Sequence, residues 1–118
     1  MKKLLLASGV SLLTMAGGLG VASASTVSTA AMVTICQDTS NAAQNFCNGY
    51  AQGVYDMYVA DIHPTENPAY VCFPKPGPSR ADVINGYVAW ASKATQYNKL
   101  PAADSLMRYL ATTYPCKK

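Results

Sequence analysis

Four cysteines, one histidine and six carboxylates make up the reactive inventory of this 118-residue chain. Cys36, Cys47, Cys72 and Cys116 could ligate a metal, act as nucleophiles or pair as disulfides. A metal centre is disfavoured. There is no C-x-x-C, and the sole histidine, His63, is far in sequence from any cysteine. His63 also has no nucleophile beside it and reads as an ordinary loop residue. Asp56 and Asp61 are five residues apart, which turns them about 140° from one another on a helix, so they do not converge as an acid–base pair. Asp56 reads as part of a solvated face. No phosphate-binding loop, haem-attachment motif or metal motif occurs. The chemistry on offer is therefore oxidation of the cysteines to two disulfides. No catalytic residue, metal ligand or cofactor is expected.

Tyrosine is the other abundant functional type, with eight copies. Aromatic rings with a polar tip are favoured at protein interfaces. Tyr50 and Tyr87 fall on core-facing arcs. Tyr55 and Val59 point away from the main apolar arc of their helix, while Tyr70, Phe73 and Tyr97 lie in or beside loops. As a set they suggest a binding surface or a dimer surface.

The elements that position these residues begin with an address. Met1-Lys2-Lys3 is a short positive region, Leu4 to Val21 is apolar and small, and Ala22-Ser23-Ala24 fits the small-x-small rule for cleavage. Together these read as a secretory signal over residues 1–24. The domain is then residues 25–118. It holds 94 residues with seven basic and six acidic side chains, so the formal +3 of the whole chain falls to +1. That balance leaves no electrostatic footprint for nucleic acid. No second apolar stretch is long enough to span a bilayer. An oxidising compartment and an even cysteine count predict two disulfides. At about 2–4 kcal/mol each, they would supply much of the stability of so small a domain.

Periodicity predicts an all-α fold, a small disulfide-stapled bundle of about four helices. The first spans 30–36. Asn41 with Gln44 makes an imperfect capping box ahead of a second helix over 42–61. On it Phe46, Cys47, Tyr50, Gly53, Val54, Met57 and Tyr58 share one arc. Gly49 and Gly53 suggest close approach of another backbone there, since glycine otherwise costs a helix about 1 kcal/mol. The segment 63–78 carries Pro64, Pro68, Pro74, Pro76 and Pro78 and is a loop. Ser79-x-x-Asp82 starts a third helix, with Val83, Ile84, Tyr87, Trp90, Ala91 and Ala94 on one arc, ended by Asn98-Lys99. Pro101 opens a fourth, with Ala102, Ala103, Leu106, Tyr109, Leu110 and Thr113 inward, and Pro115 stops it. Three disulfide pairings are open. Cys47–Cys72 with Cys36–Cys116 is favoured, because it would tether the loop and both chain ends.

The stretch Phe46-Cys47-Asn48-Gly49-Tyr50-Ala51-Gln52-Gly53-Val54-Tyr55-Asp56 resembles the F-C-x-G-Y-x-x-G-x-x-D signature of the Rap/Tai immunity family. Val71-Cys72-Phe73-Pro74 resembles its C-I-P element. Leu100-Pro101-Ala102-Ala103 and Tyr114-Pro115-Cys116 resemble its closing L-P-A-A … F-P-C. The resemblance implies an HdeA-like helical fold, often dimeric, and a periplasmic protein. Such a protein binds and occludes a peptidoglycan amidase toxin delivered by type VI secretion, and so protects the cell that makes it. It implies that Phe46, Cys47, Gly49, Tyr50, Gly53, Asp56, Pro101 and Pro115 are scaffold. Candidate partner-binding residues are then Tyr97, Asn98 and Lys99 in the turn before the fourth helix, Glu66, Asn67 and Tyr70 in the loop before Cys72, and Tyr55. The third helix lacks the family's acidic, His-Pro ending, and the Cys72 loop is unusually proline-rich. The toxin-facing surface varies with the toxin, so these departures bear on the partner and leave the fold unchanged. The alternative is an HdeA-like stress chaperone opened by acid. Six acids and one histidine are too few for a strong charge-driven switch.

Overall fold

Residues 25–63 and 66–118 are described by a computed structural model. The signal assigned to residues 1–24 lies outside the described residues. Four α-helices follow one another: α1 (Thr29–Gln37), α2 (Asn41–Ile62), α3 (Arg80–Lys93) and α4 (Ala102–Thr113), with a single 3-10 turn, Thr95–Tyr97, between the last two. Among the described residues there is no strand, only two isolated antiparallel bridges, Ser28 with Pro101 and Val71 with Pro115. The all-α, four-helix expectation holds.

Serines start three of the helices. Ser28, Ser40 and Ser79 accept a backbone N–H three residues on, at 3.2, 3.3 and 3.1 Å. This satisfies donors that the first helical turn leaves without partners. Ser79 and Asp82 form the full capping box. At α2 the cap is Ser40 and not Asn41. Gln44 serves the preceding helix instead. Its amide donates to the carbonyls of Cys36 (3.1 Å) and Asp38 (2.5 Å), closing the end of α1. α3 stops at Lys93, five residues before Asn98, and the chain tightens into the 3-10 turn.

The core is built from Met32, Cys47, Tyr58, Val71, Ile84, Tyr87, Ala91, Ala102, Leu106, Tyr109 and Leu110. The arcs read for α3 and α4 supply most of it. Thr113, expected inward, is exposed, while Ser105 is buried in the same face. α2 departs further from its predicted arc. Cys47 and Tyr58 are buried, but Phe46, Gly53 and Met57 are exposed. Tyr55 and Val59, expected to point away, pack against the core. The helix is rotated toward them, because a helix apolar over more than half its circumference does not define by periodicity which part faces inward.

Neither Gly49 nor Gly53 is approached by another backbone, since a Cβ at either would meet nothing within 4 Å. The close approach is at Gly86 on α3, where a Cβ would overlap the Tyr109 hydroxyl and lie 3.0 Å from its ring carbon Cζ. Tyr109 cannot easily yield. Its ring is packed by Tyr87, Trp90 and Tyr114 at centroid distances of 6.0, 5.9 and 6.4 Å.

The disulfides are Cys36–Cys47 and Cys72–Cys116, not the favoured pairing. Three residues link α1 to α2, so the last turn of α1 faces the second turn of α2 and Cα atoms 5.2 Å apart are bridged. The proline-rich loop is tied to the C-terminus by backbone as well as sulfur. Cys72 N–H donates to Tyr114 C=O at 2.8 Å, beside the Val71–Pro115 bridge.

Loop closure ranks the two bonds. Separations of 11 and 44 residues correspond to about 3 and about 4 kcal/mol of unfolded-state restriction. Reduction by dithiothreitol is expected to lower the melting temperature by well over about 10 °C. The Cys72→Ser/Cys116→Ser double variant should lose more than its Cys36/Cys47 counterpart, and an unchanged melt on reduction would contradict this account. Gly86→Ala should destabilise by about 1–3 kcal/mol through overpacking despite alanine's better helix propensity, as read from a denaturant titration.

Candidate functional site

The turn between α3 and α4 is clasped by the chain that enters α1. Thr29 N–H donates to Leu100 C=O (2.9 Å), Ala30 N–H to Asn98 C=O (3.1 Å), and Ala102 N–H to Val27 C=O (2.7 Å). Two segments distant in sequence, 27–30 and 98–102, thus share one short run of backbone bonds. Beneath it lies a buried hydroxyl cluster. Thr29 Oγ1 is 3.0 Å from Leu100 C=O and 2.8 Å from Ser105 Oγ. Ser105 Oγ is 2.8 Å from the Tyr87 hydroxyl and donates to Ala102 C=O at 3.1 Å. Thr29 and Ser105 are both 0 % exposed. Every hydroxyl has a partner, which is what burying it requires. Burial raises the Tyr87 phenol above its ordinary value, with the Ser105 hydrogen bond acting in the other direction, so it stays protonated through neutral pH.

On this base the three candidate residues of the turn have different roles. Tyr97 is half-buried, stacked on Trp90 with 5.4 Å between centroids and 18° between planes. The Arg108 guanidinium lies 5.4 Å over the same ring and is held by Asp104 at 2.5 Å one helical turn earlier. Asn98 gives its carbonyl to the clasp. Lys99 and Leu100 are exposed. The turn is thus a rigid knuckle: Tyr97 and Asn98 hold it and Lys99 is presented.

The second candidate segment, the loop before Cys72, is organised by Tyr58. Its hydroxyl accepts from the N–H groups of Tyr70 (2.9 Å) and Val71 (3.0 Å). The Tyr70 ring sits edge-on to Tyr58 at 4.8 Å and is 48 % exposed. Asn67 donates from its side chain to Asp61 C=O at 3.0 Å, capping the end of α2. Glu66 is exposed, with a left-handed φ of 60°. Tyr55 does not join either segment. It is half-buried beneath Phe73, 5.5 Å away, and Phe73 in turn packs on Tyr114 at 4.8 Å.

Two hollows flank these elements. An open groove of about 540 Å³ runs between α2 and α4, lined by Tyr50, Gly53, Met57, Tyr70, Ala103 and Met107 among others. A smaller hollow of about 230 Å³ lies where Tyr55, Phe73, Val83 and Leu106 meet. Arg80 lines it while holding the Gln52 side chain at 2.6 Å. The two candidate segments fall on neighbouring faces of α4. Ala103 and Met107 wall the groove beside Tyr70, while Asp104 and Arg108 carry Tyr97. Neither hollow converges acid, base and nucleophile. Among the described residues no three His, Cys, Asp or Glu side chains gather as a metal site, and no helix is long and apolar enough to cross a membrane.

Thr29 and Ser105 escaped the sequence reading. Thr29 precedes the predicted first helix, where no periodicity marks it, but Ser105 stands inside the apolar arc of α4, a signal for a buried hydroxyl with a waiting partner.

The scaffold of four helices and two disulfides thus presents a rigid turn and a groove of largely apolar lining. The chain belongs to the Rap1a immunity protein family, whose model matches residues 28–116, from the Ser28 cap to Cys116. No curated protein and no solved structure matches it.

Thr29→Val is expected to cost about 1 kcal/mol, because it removes the buried hydroxyl's hydrogen bonding to Leu100 C=O and Ser105 Oγ. Thr29→Ser should recover most of that loss. Thermal melts of the two variants check it, and equal melting temperatures would show that the hydroxyl contributes nothing.

Proposed function

We propose that this protein is exported to the periplasm. There it binds a peptidoglycan amidase delivered by type VI secretion, occludes the enzyme's cleft, and so protects the cell that makes it. The observation that carries the reading is the family match across 28–116, laid over a scaffold whose cysteines are all paired. Disulfides persist in oxidising compartments outside the cytoplasm, where a toxin that attacks the cell wall acts. The turn between α3 and α4 is the inhibitory element. Lys99 and Leu100 project from a base held by three backbone hydrogen bonds, the Thr29–Ser105 pair and the Trp90–Tyr97–Arg108 stack. A turn ordered before binding loses little entropy on entering a cleft. Inhibition by such a turn needs no group in this chain to react.

The test mixes the purified chain with candidate peptidoglycan amidases and follows release of peptides from peptidoglycan. Stoichiometric inhibition is expected. The double variant Tyr97→Ala/Lys99→Glu should weaken binding by about 10-fold or more while keeping both disulfides. Failure of the wild-type chain to bind any of these amidases would overturn the reading.

A further inference from the structure

The smaller hollow is built differently from the open groove. Its floor is core: Ile84 of α3 and Leu106 and Leu110 of α4 line it and are themselves buried. Its outer wall is the proline-rich loop, through Phe73 and Pro78. That wall is fixed from outside. Cys72 is bonded to Cys116, its N–H donates to Tyr114 C=O at 2.8 Å, and the Phe73 ring packs on Tyr114 and Tyr55. A space of about 230 Å³ is therefore held open above the core, and the atoms that line it lack packing partners across it. An apolar void of this kind takes an apolar guest in preference to water.

The rim supplies one cation. Arg80, the first residue of α3, is exposed and lines the same hollow. Its side chain is pinned. Nε and Nη2 both donate to Gln52 Oε1, at 3.1 and 2.6 Å. Gln52 is oriented in turn by Asp56, which accepts from its Nε2 at 2.8 Å. One edge of the guanidinium is thus taken by a neutral oxygen. The other edge, Nη1 with the second N–H of Nη2, makes no hydrogen bond among the described residues. Two parallel N–H groups on such an edge match a carboxylate. The acids of the adjoining turns are engaged elsewhere, Asp56 with Gln52 and Asp82 with Ser79 in the capping box. Arg80, Val83 and Ile84 stand at i, i+3 and i+4 on α3, so cation and apolar floor share one face about one turn apart.

We propose that this hollow binds a small amphiphilic carboxylate, its apolar tail against Ile84, Leu106 and Leu110 and its head group on the open edge of Arg80. Size limits the tail. An apolar cavity of about 150 Å³ holds one benzene ring, so this one holds about eight or nine non-hydrogen atoms. An acid the size of octanoate fits, and a long-chain lipid does not. Charge chooses the head group. An alcohol cannot engage both N–H groups of the fork as a carboxylate does, and an amine is repelled by it. The site shares no residue with the turn at Lys99 and does not rest on the reading of that turn as inhibitory.

Octanoate is the probe, titrated by calorimetry into the purified exported chain, with octanol and acetate as the two halves of its chemistry. Octanoate should bind with a dissociation constant of about 1 mM or tighter. Octanol should bind about 10-fold more weakly, and acetate should give no measurable heat. In methyl NMR spectra octanoate should shift Ile84, Leu106 and Leu110 and leave Met57 and Met107 of the open groove in place. Arg80→Gln falls at an exposed position, so its melt should match the wild type. It should raise the octanoate dissociation constant about 10-fold and erase the preference over octanol. Arg80→Lys keeps the charge without the fork and should lie between the two. Val83→Phe, which fills the hollow, should abolish binding. Absence of octanoate binding at about 10 mM would overturn the site. So would equal binding of octanoate and octanol, an unchanged constant in Arg80→Gln, or methyl shifts confined to the open groove. A chain silent to octanoate whose capture of an amidase is weakened by Val83→Phe would assign the hollow to the toxin and overturn it too. Octanoate binding by a chain that inhibits no amidase would support the site and remove only the inhibitory reading of the turn.

Discussion

The structure depends on where Thr29 sits. Its N–H and hydroxyl both reach Leu100 C=O, and its hydroxyl also meets Ser105, which reaches Tyr87. One residue at the start of α1 thereby joins the turn before α4, the buried face of α4 and the centre of α3. Polar groups buried without partners cost several kcal/mol, and satisfied ones specify a geometry. Sliding α1 along the bundle would take the Thr29 hydroxyl from Ser105 and the Thr29 and Ala30 N–H groups from the carbonyls of Leu100 and Asn98 at once. The clasp thus defines both the register of the bundle and the shape of the turn that it presents.

The disulfides reinforce what the backbone already pairs. Cys36–Cys47 closes a three-residue hairpin between helices. Cys72–Cys116 lies beside the Val71–Pro115 bridge and the Cys72–Tyr114 hydrogen bond. The pairing favoured from sequence treated the bonds as long-range tethers between parts otherwise apart. In the folded chain each crosslinks neighbours, so the native state is not distorted to form it and the restriction falls on the unfolded chain. The same economy governs Tyr58, whose single hydroxyl caps two successive amides of the proline-rich loop. The loop's own apolar anchors are Val71 in the core and Phe73 packed on Tyr55 and Tyr114.

α2 separates the two uses of apolar surface. Its inner part joins the core, and its outer part carries Phe46 and Met57 into solvent. Residues read as scaffold from the family signature therefore divide. Cys47 is structural, while Phe46 and Gly53 lie on an open face. Family membership says that a partner exists. Within the chain, that open face and the knuckle at Lys99 are distinct surfaces, built by different elements.

Much was legible from residues alone, because local physics decided it. The Ser79 capping box, the proline breaks and the apolar arcs of α3 and α4 are set by neighbours within one or two turns, and they placed four helices near their observed bounds. Family motifs spread over most of the chain identified the kind of protein. What the tertiary structure decided were matters in which distant segments compete for the same partner. Which cysteine meets which depends on how α1 folds back and where the C-terminus lies. Which side of a broadly apolar α2 turns inward depends on what packs against it. Whether a glycine is a notch or a necessity depends on the side chain opposite, as Gly86 and Tyr109 show against Gly49 and Gly53. The hydroxyl pairing of Thr29 with Ser105 spans 76 residues, and no local periodicity encodes a contact of that range.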